Sequence, residues 1–303
     1  MFVWGIMVLA VACAGLNNIL LRLLANTKIK YDSFLFNAGM MSVWIIILLC
    51  FGGIKEVAPI TWLFAFLYGI ILCGFIFFKN AALTNGPISI TSLIGGSSFV
   101  LSTIFNTIYF NDEVTVMQII GMVLMVVSVF MVNFPQKTGE KTTLKWKILC
   151  AIFFVFAALV GVIFRFDQVH DKAHTGEMMI LASAFATVTL LIIYFISGIV
   201  KRKKQPILTE EKPKNVKASL IILVFAILSG IVSCVYNRCN IYLSGALPTI
   251  LFSPIFNGAL IMVSFLAGLI LFKEKPTVLK IIGFCVGILA IICFSGFFGL
   301  VNI

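Results

Sequence analysis

The sequence predicts an all-α integral membrane protein of ten transmembrane helices arranged as two inverted five-helix repeats. Three observations predict it: a composition that cannot make a water-soluble surface, a second half that repeats the first, and basic charge gathered on one side of the membrane. Of the 303 residues, 61% are apolar and 11% charged, with 30 Phe and a mean hydropathy of +1.15. A soluble domain runs nearer half apolar and a quarter charged. A spanning helix needs about 20 apolar residues and a short connection, so the chain has room for roughly ten passes and no separate catalytic domain.

Apolar runs bounded by Gly, Pro and charge place the spans at approximately 2–25, 34–54, 60–83, 87–110, 114–134, 147–168, 177–200, 217–243, 247–272 and 277–300. The first begins at Phe2 without a basic leader and reads as a retained helix rather than a signal peptide. Pro87, Pro248 and Pro276 stand where they would open spans 4, 9 and 10, positions that tolerate a missing N–H. Pro254 alone lies inside a span and is expected to kink span 9 and free a carbonyl. The eight cysteines lie in apolar stretches without ligand spacing and read as small buried hydrophobes. The His170-Asp171-x-x-His174 segment lacks a third ligand and reads as a solvated loop, so no metal is expected. No phosphate loop, nucleophile elbow or intramembrane carboxylate pair is found; no enzyme activity and no cofactor are expected.

The second half repeats the first. Ile108 to Gly121 set against Ile270 to Gly283, a shift of 162, gives seven identities in fourteen positions and aligns Asp112 with Glu274 and Thr115 with Thr277. A shift of 160 aligns Asn80, Leu83 and Thr84 with Asn240, Leu243 and Ser244, and a shift of 143 lays Arg22 over Arg165. The units are therefore expected at 1–135 and 147–303, joined by a linker at 136–146. An odd number of helices per unit makes the second copy enter from the opposite face, and inverted repeats of this kind build secondary transporters with a site between the halves.

The five-plus-five plan, the turn from Ala82-Leu83 to Pro87, and the acidic residue leading into a Gly-containing helix (Asp112/Glu113 to Gly121, Glu274 to Gly283) together resemble the drug/metabolite transporter superfamily. The resemblance is to its ten-helix members with two EamA-type repeats and covers essentially the whole chain. It implies the fold and transport, and leaves the substrate open.

Charge sets the orientation. The side bearing the 1–2, 5–6, 7–8 and 9–10 connections holds sixteen Lys and Arg, among them Lys28, Lys30, Lys145, Arg202 and Lys273, while the other side holds Lys55 and Lys172. The positive-inside rule then places the protein in the cell membrane with both termini outside. The family usually keeps both termini in the cytoplasm, so the chain reads either as a reversed member or as one span miscounted; the repeat, which sets the count independently, favours reversal. The basic run 201–204 is a topology signal on this reading.

Charge inside a bilayer is costly, so intramembrane ionisable groups are site candidates by default. Arg22, Lys79, Arg165 and Arg238 are four such cations and Asp167 the one acid, expected to pair with Arg165 or end its helix. Snorkelling to the headgroups is the plainer reading of each cation. Arg22 and Arg165 stand out through their repeat equivalence and through Asn18, one turn before Arg22. Polar stripes add Thr91, Ser98 and Ser102 on span 4 and Ser253 and Asn257 on span 9, related by the repeat, with Asn80 on span 3 and Ser233, Tyr236 and Asn237 on span 8. Small hydroxyls also serve helix packing. Amides are harder to dismiss, because each has four hydrogen-bonding sites to satisfy, so Asn17, Asn18, Asn237 and Asn257 are expected to line a wet cavity. Gly283 and Gly287 form a G-x-x-x-G, read as packing within the chain or, alternatively, as a homodimer contact.

The expected activity is secondary transport of a small anionic or zwitterionic metabolite, with the lipid bilayer as the other partner and no nucleic acid. Arg22 and Arg165 are expected to neutralise its acidic group. A proton-coupled exporter of cationic or hydrophobic compounds would need a membrane carboxylate, for which only Asp167 is available; a non-transporting scaffold would need the polar stripes to be packing surfaces.

Overall fold

The protein is described by a computed structural model covering residues 2–27, 29–53, 57–86, 88–132, 143–170, 174–204, 216–273 and 277–294. Among the described residues there are eleven α-helices and no strand: α1 Phe2–Asn26, α2 Ser33–Phe51, α3 Pro59–Asn85, α4 Ile88–Gly96, α5 Phe99–Tyr109, α6 Val116–Val132, α7 Leu144–Val169, α8 Thr175–Lys204, α9 Val216–Ala246, α10 Thr249–Ile270 and α11 Val278–Phe294. Seven of them are long and apolar enough to cross a membrane, and α4 and α5 are two pieces of one span. The chain is a multi-pass, all-α integral membrane protein of ten spans. Pro87, Asp171, Glu274, Pro276, the lysines at 28, 55 and 172 and most of the 136–146 linker lie outside the described residues.

Helix ends follow local chemistry. Asp32 caps α2 by accepting from the N–H groups of Phe34 and Leu35, Thr143 caps α7 by accepting from Trp146 N–H, and Pro59 occupies the first turn of α3. Before α6, Thr115 and Gln118 form a reciprocal capping box: Thr115 N–H donates to Gln118 Oε1 at 2.9 Å and Gln118 N–H to Thr115 Oγ1 at 3.3 Å. Asn111 and Lys273, with φ of 50° and 52°, are the non-glycine residues in the left-handed region among those described. They are 162 positions apart, so the repeat extends to backbone conformation in the turns preceding α6 and α11.

The packing has the same symmetry. Helix α1 packs on α9 as α7 packs on α3; α2 packs on α9 as α8 packs on α3; α1 packs on α10 as α7 packs on α4 and α5. The α2–α8 and α6–α11 pairs are their own counterparts. In the α6–α11 pair, small residues allow close approach: a Cβ on Gly283 would lie 2.7 Å from Met131 Cβ, and Ser128 Oγ donates to the Gly283 carbonyl at 2.7 Å. Gly287 meets Ser128 and Met262. The G-x-x-x-G segment is thus used inside the chain.

One element departs from expectation. Residues 87–110 are read from sequence as a single helix, but the chain breaks at Ser97-Ser98 between α4 and α5. Gly95, whose absent Cβ leaves room for the Phe153 ring of α7, and Gly96 weaken the helix there. The two serines bond back, Ser97 Oγ to Ile94 O at 2.9 Å and Ser98 Oγ to Gly95 O at 2.8 Å, so carbonyls at the break keep partners in an environment where an orphaned one is costly. The repeat-related span 9, α10, runs unbroken through Pro254.

Candidate functional site

A cavity of about 560 Å³ lies between the halves, bounded by α1, α2, α3, α7, α9, α10 and the α4–α5 break. It reaches the α1–α2 connection at Tyr31 and Ser33, on the basic side of the charge count, and ends in the other direction at Phe164, Asn237 and Asn240. Burial raises the pKa of the Tyr31 phenol, so a neutral hydroxyl stands at the mouth.

Nine of the residues singled out from sequence line this space: Asn17, Asn18, Lys79, Asn80, Ser98, Ser233, Tyr236, Asn237 and Asn257. They come from four helices, α1, α3, α9 and α10, and the break in span 4, so only the tertiary fold brings them together. The walls between them are apolar and aromatic, including Met40, Trp44, Phe75 and Phe256. Several polar groups are fixed by local bonds. Trp44 Nε1 donates to Ser233 Oγ at 2.8 Å, joining α2 to α9, and Asn18 Nδ2 donates to Ser264 Oγ at 3.3 Å, joining α1 to α10. Lys79 is the one charged residue among the described lining; its Nζ lies 5.5 Å from the Phe75 ring centroid, and no described carboxylate forms an ion pair with it.

The other six residues lie elsewhere. Thr91 accepts from Trp146 Nε1 at 3.1 Å and meets Cys150, fastening α4 to α7. Ser102 bonds to its own helix at Phe99 O and faces Gly161 of α7. Ser253 is buried, its carbonyl accepting from Asn257. Arg22 is exposed beside the mouth, its guanidinium 4.1 Å from the Phe272 ring centroid. Arg238 lies over Gly176 in a second cavity of about 360 Å³ with Gln168, Thr175 and Tyr242.

Arg165 sits one residue beyond the closed end of the main cavity, in a polar cluster. It donates to the carbonyls of Ser244 at 2.5 Å and Leu247 at 3.1 Å and to Asp112 Oδ1 at 3.1 Å, while Asp112 Oδ2 accepts from Thr249 N–H at 3.1 Å. Both charged side chains are 11% exposed. The cluster ties α7 to the α9–α10 turn and the α5–α6 connection. Asp167 is therefore not the partner of Arg165; it points into its own buried corner, where Gln168 Nε2 donates to Oδ2 at 3.4 Å, and α7 continues past it to Val169. Asp167 is absent from the lining of the main cavity.

Sequence reasoning missed Asp112 as a structural charge, although its alignment with Glu274 marked the position as repeated. It also missed Asn37 and Trp44 on the cavity wall, while Asn240, aligned with Asn80 by the repeat, does line it. The spacing Ser-x-x-x-Asn, present at 33/37 as at 233/237 and 253/257, was the available signal for Asn37.

No curated protein matches the sequence. A solved structure described as "Crystal structure of protein" is similar over 95% of this chain and 94% of that chain, with a TM-score of 0.71 and 14% identity, a likeness of fold. The family described as EamA-like transporter family matches residues 2–134, which take in helices α1 to α6. Over this first five-span unit the chain is similar to the EamA-like transporter family, and its whole-length likeness of fold is consistent with the drug/metabolite transporter superfamily.

Proposed function

We propose that this membrane transporter carries a small anionic or zwitterionic metabolite by alternating access, with Lys79 rather than Arg22 or Arg165 meeting the acidic group. The observation that carries the reading is Lys79 itself, a cation on the wall of an amide-rich cavity inside the membrane with no carboxylate ion-paired to it among the described residues. An unpaired ammonium in low dielectric is costly and becomes favourable when an anion arrives. The bonded cluster around Arg165 supports the alternating part: it closes one end while the other reaches the α1–α2 connection.

The test is uptake into proteoliposomes of labelled anions, zwitterions and cations, with wild type and Lys79→Gln side by side. Anion or zwitterion accumulation that falls at least tenfold in Lys79→Gln is expected; accumulation of cations alone, indifferent to the substitution, would overturn the reading. The charge count supports an orientation in the cell membrane with both termini outside, and a reporter fused after Ile303 checks that: a cytoplasmic signal reverses the orientation.

A further inference from the structure

Asn37, Asn237 and Asn257, on α2, α9 and α10, share one local bond. Each sits four residues after a serine and donates its Nδ2 to that serine's backbone carbonyl, at 2.7, 2.9 and 2.8 Å. A carbonyl only accepts, so the NH₂ of each amide must be the group turned to its own helix. All three residues line the main cavity; among the described residues no hydrogen bond reaches Oδ1 of Asn37 or Asn257, and the Asn237 side chain also meets the neighbouring Tyr236 hydroxyl. The serine-and-asparagine pairs thus convert three bifunctional amides into three oriented acceptors.

The acceptors are spread along the cavity. At 1.5 Å rise per residue, Asn37 and Lys79 lie roughly 6 and 9 Å from the helix ends on the mouth side. Asn237 and Asn257 lie roughly 14 and 12 Å from the helix ends on the opposite side, which puts them about 10 Å deeper in a hydrocarbon layer of about 30 Å. One ammonium group cannot reach acceptors so far apart. An extended molecule with hydroxyls along its length can.

We propose that the cavity is built for a monocarboxylate bearing several hydroxyl groups, a sugar acid in chemical class, with Lys79 taking the carboxylate and the carbonyl oxygens of Asn37, Asn237 and Asn257 accepting from hydroxyls. The proposal rests on the anion reading above and narrows it. A single lysine matches one negative charge, and neutral acceptors without a described acid on the wall match neutral donors.

Binding to the purified full chain in nanodiscs, read by the fluorescence of the wall residue Trp44 and by calorimetry, separates the two claims with four probes. Gluconate should bind at least tenfold tighter than hexanoate, which has the charge and length without the hydroxyls, and tighter than sorbitol, which has hydroxyls without the charge. Asn237→Ala and Asn257→Ala should each cut the gluconate-to-hexanoate affinity ratio about three- to tenfold, one neutral hydrogen bond apiece. If hexanoate binds as well as gluconate and both are lost in Lys79→Gln, the hydroxyl claim falls and the anion reading stands. If sorbitol equals gluconate and ignores Lys79→Gln, the anion reading falls, and with it this one. Preference for glucose 6-phosphate over gluconate overturns the carboxylate, and binding of none of the four overturns the sugar-acid proposal, with the zwitterion arm of the uptake panel then deciding the broader reading. The wild-type panel decides even where a variant fails to fold.

Discussion

Arg22 and Arg165 occupy the same position of the repeat, and each lies against a repeat-related ring, Phe272 at 4.1 Å and Phe110 at 5.4 Å. Their surroundings differ. Arg165 is 11% exposed and bonded to a carboxylate and two carbonyls at the closed end; Arg22 is exposed at the open end, next to Leu21 on the cavity rim. Equivalent residues thus hold different environments at the two ends of the cavity. Arg165, expected from sequence to meet the substrate, is held in a bonded cluster that we read as a seal.

The comparison can be broken in order of expected effect. Arg165→Gln should cost about 3 kcal/mol, because it strands the buried Asp112 carboxylate, and Arg22→Gln less than about 1 kcal/mol. Thermal melting of the two variants checks this, and equal losses would erase the distinction. A double-mutant cycle of Arg165→Gln with Asp112→Asn should return a coupling of about 2 kcal/mol, against none for Arg22→Gln with Asp112→Asn. In detergent, where both faces meet the reagent, a maleimide should modify Tyr31→Cys at the mouth about tenfold faster than Thr249→Cys in the seal, where the residue is 2% exposed; comparable rates would mean the seal is not closed. Phe272→Leu and Phe110→Leu should each cost only about 0.5 to 1 kcal/mol through the lost cation–π contact.

Much of this was legible in the residues, for reasons that differ by element. The spans were readable because lipid imposes length and apolarity on every crossing helix. Cavity amides such as Asn17, Asn237 and Asn257 were readable because hydrocarbon leaves an amide few alternatives to a wet or bonded site. The break at Ser97-Ser98 was not, since two glycines and two serines are compatible with a continuous membrane helix and only the approach of Phe153 from α7 shows why small residues stand there. The ion pair of Arg165 was not legible because its partner, Asp112, lies 53 residues away in a connection assigned to the aqueous side. Thr91 and Ser102 share a helical spacing with Ser98, yet the break and the packing of α7 separate them from it. Periodicity describes a face only while the helix lasts.

The pairing of helices has a consequence for how such a chain is made. The main partners of α1, α2, α3 and α6 are α9, α8, α7 and α11, all encoded after residue 143. While the ribosome is still translating the second half, the first five spans sit in the bilayer without them, and Lys79, Asn80 and Asn17 face lipid or the insertion machinery instead of a cavity. Neither half is a finished object by itself. Cut in the 136–146 linker and co-expressed, the halves should need each other to escape degradation, so that the level of one fragment in the membrane reports the presence of the other.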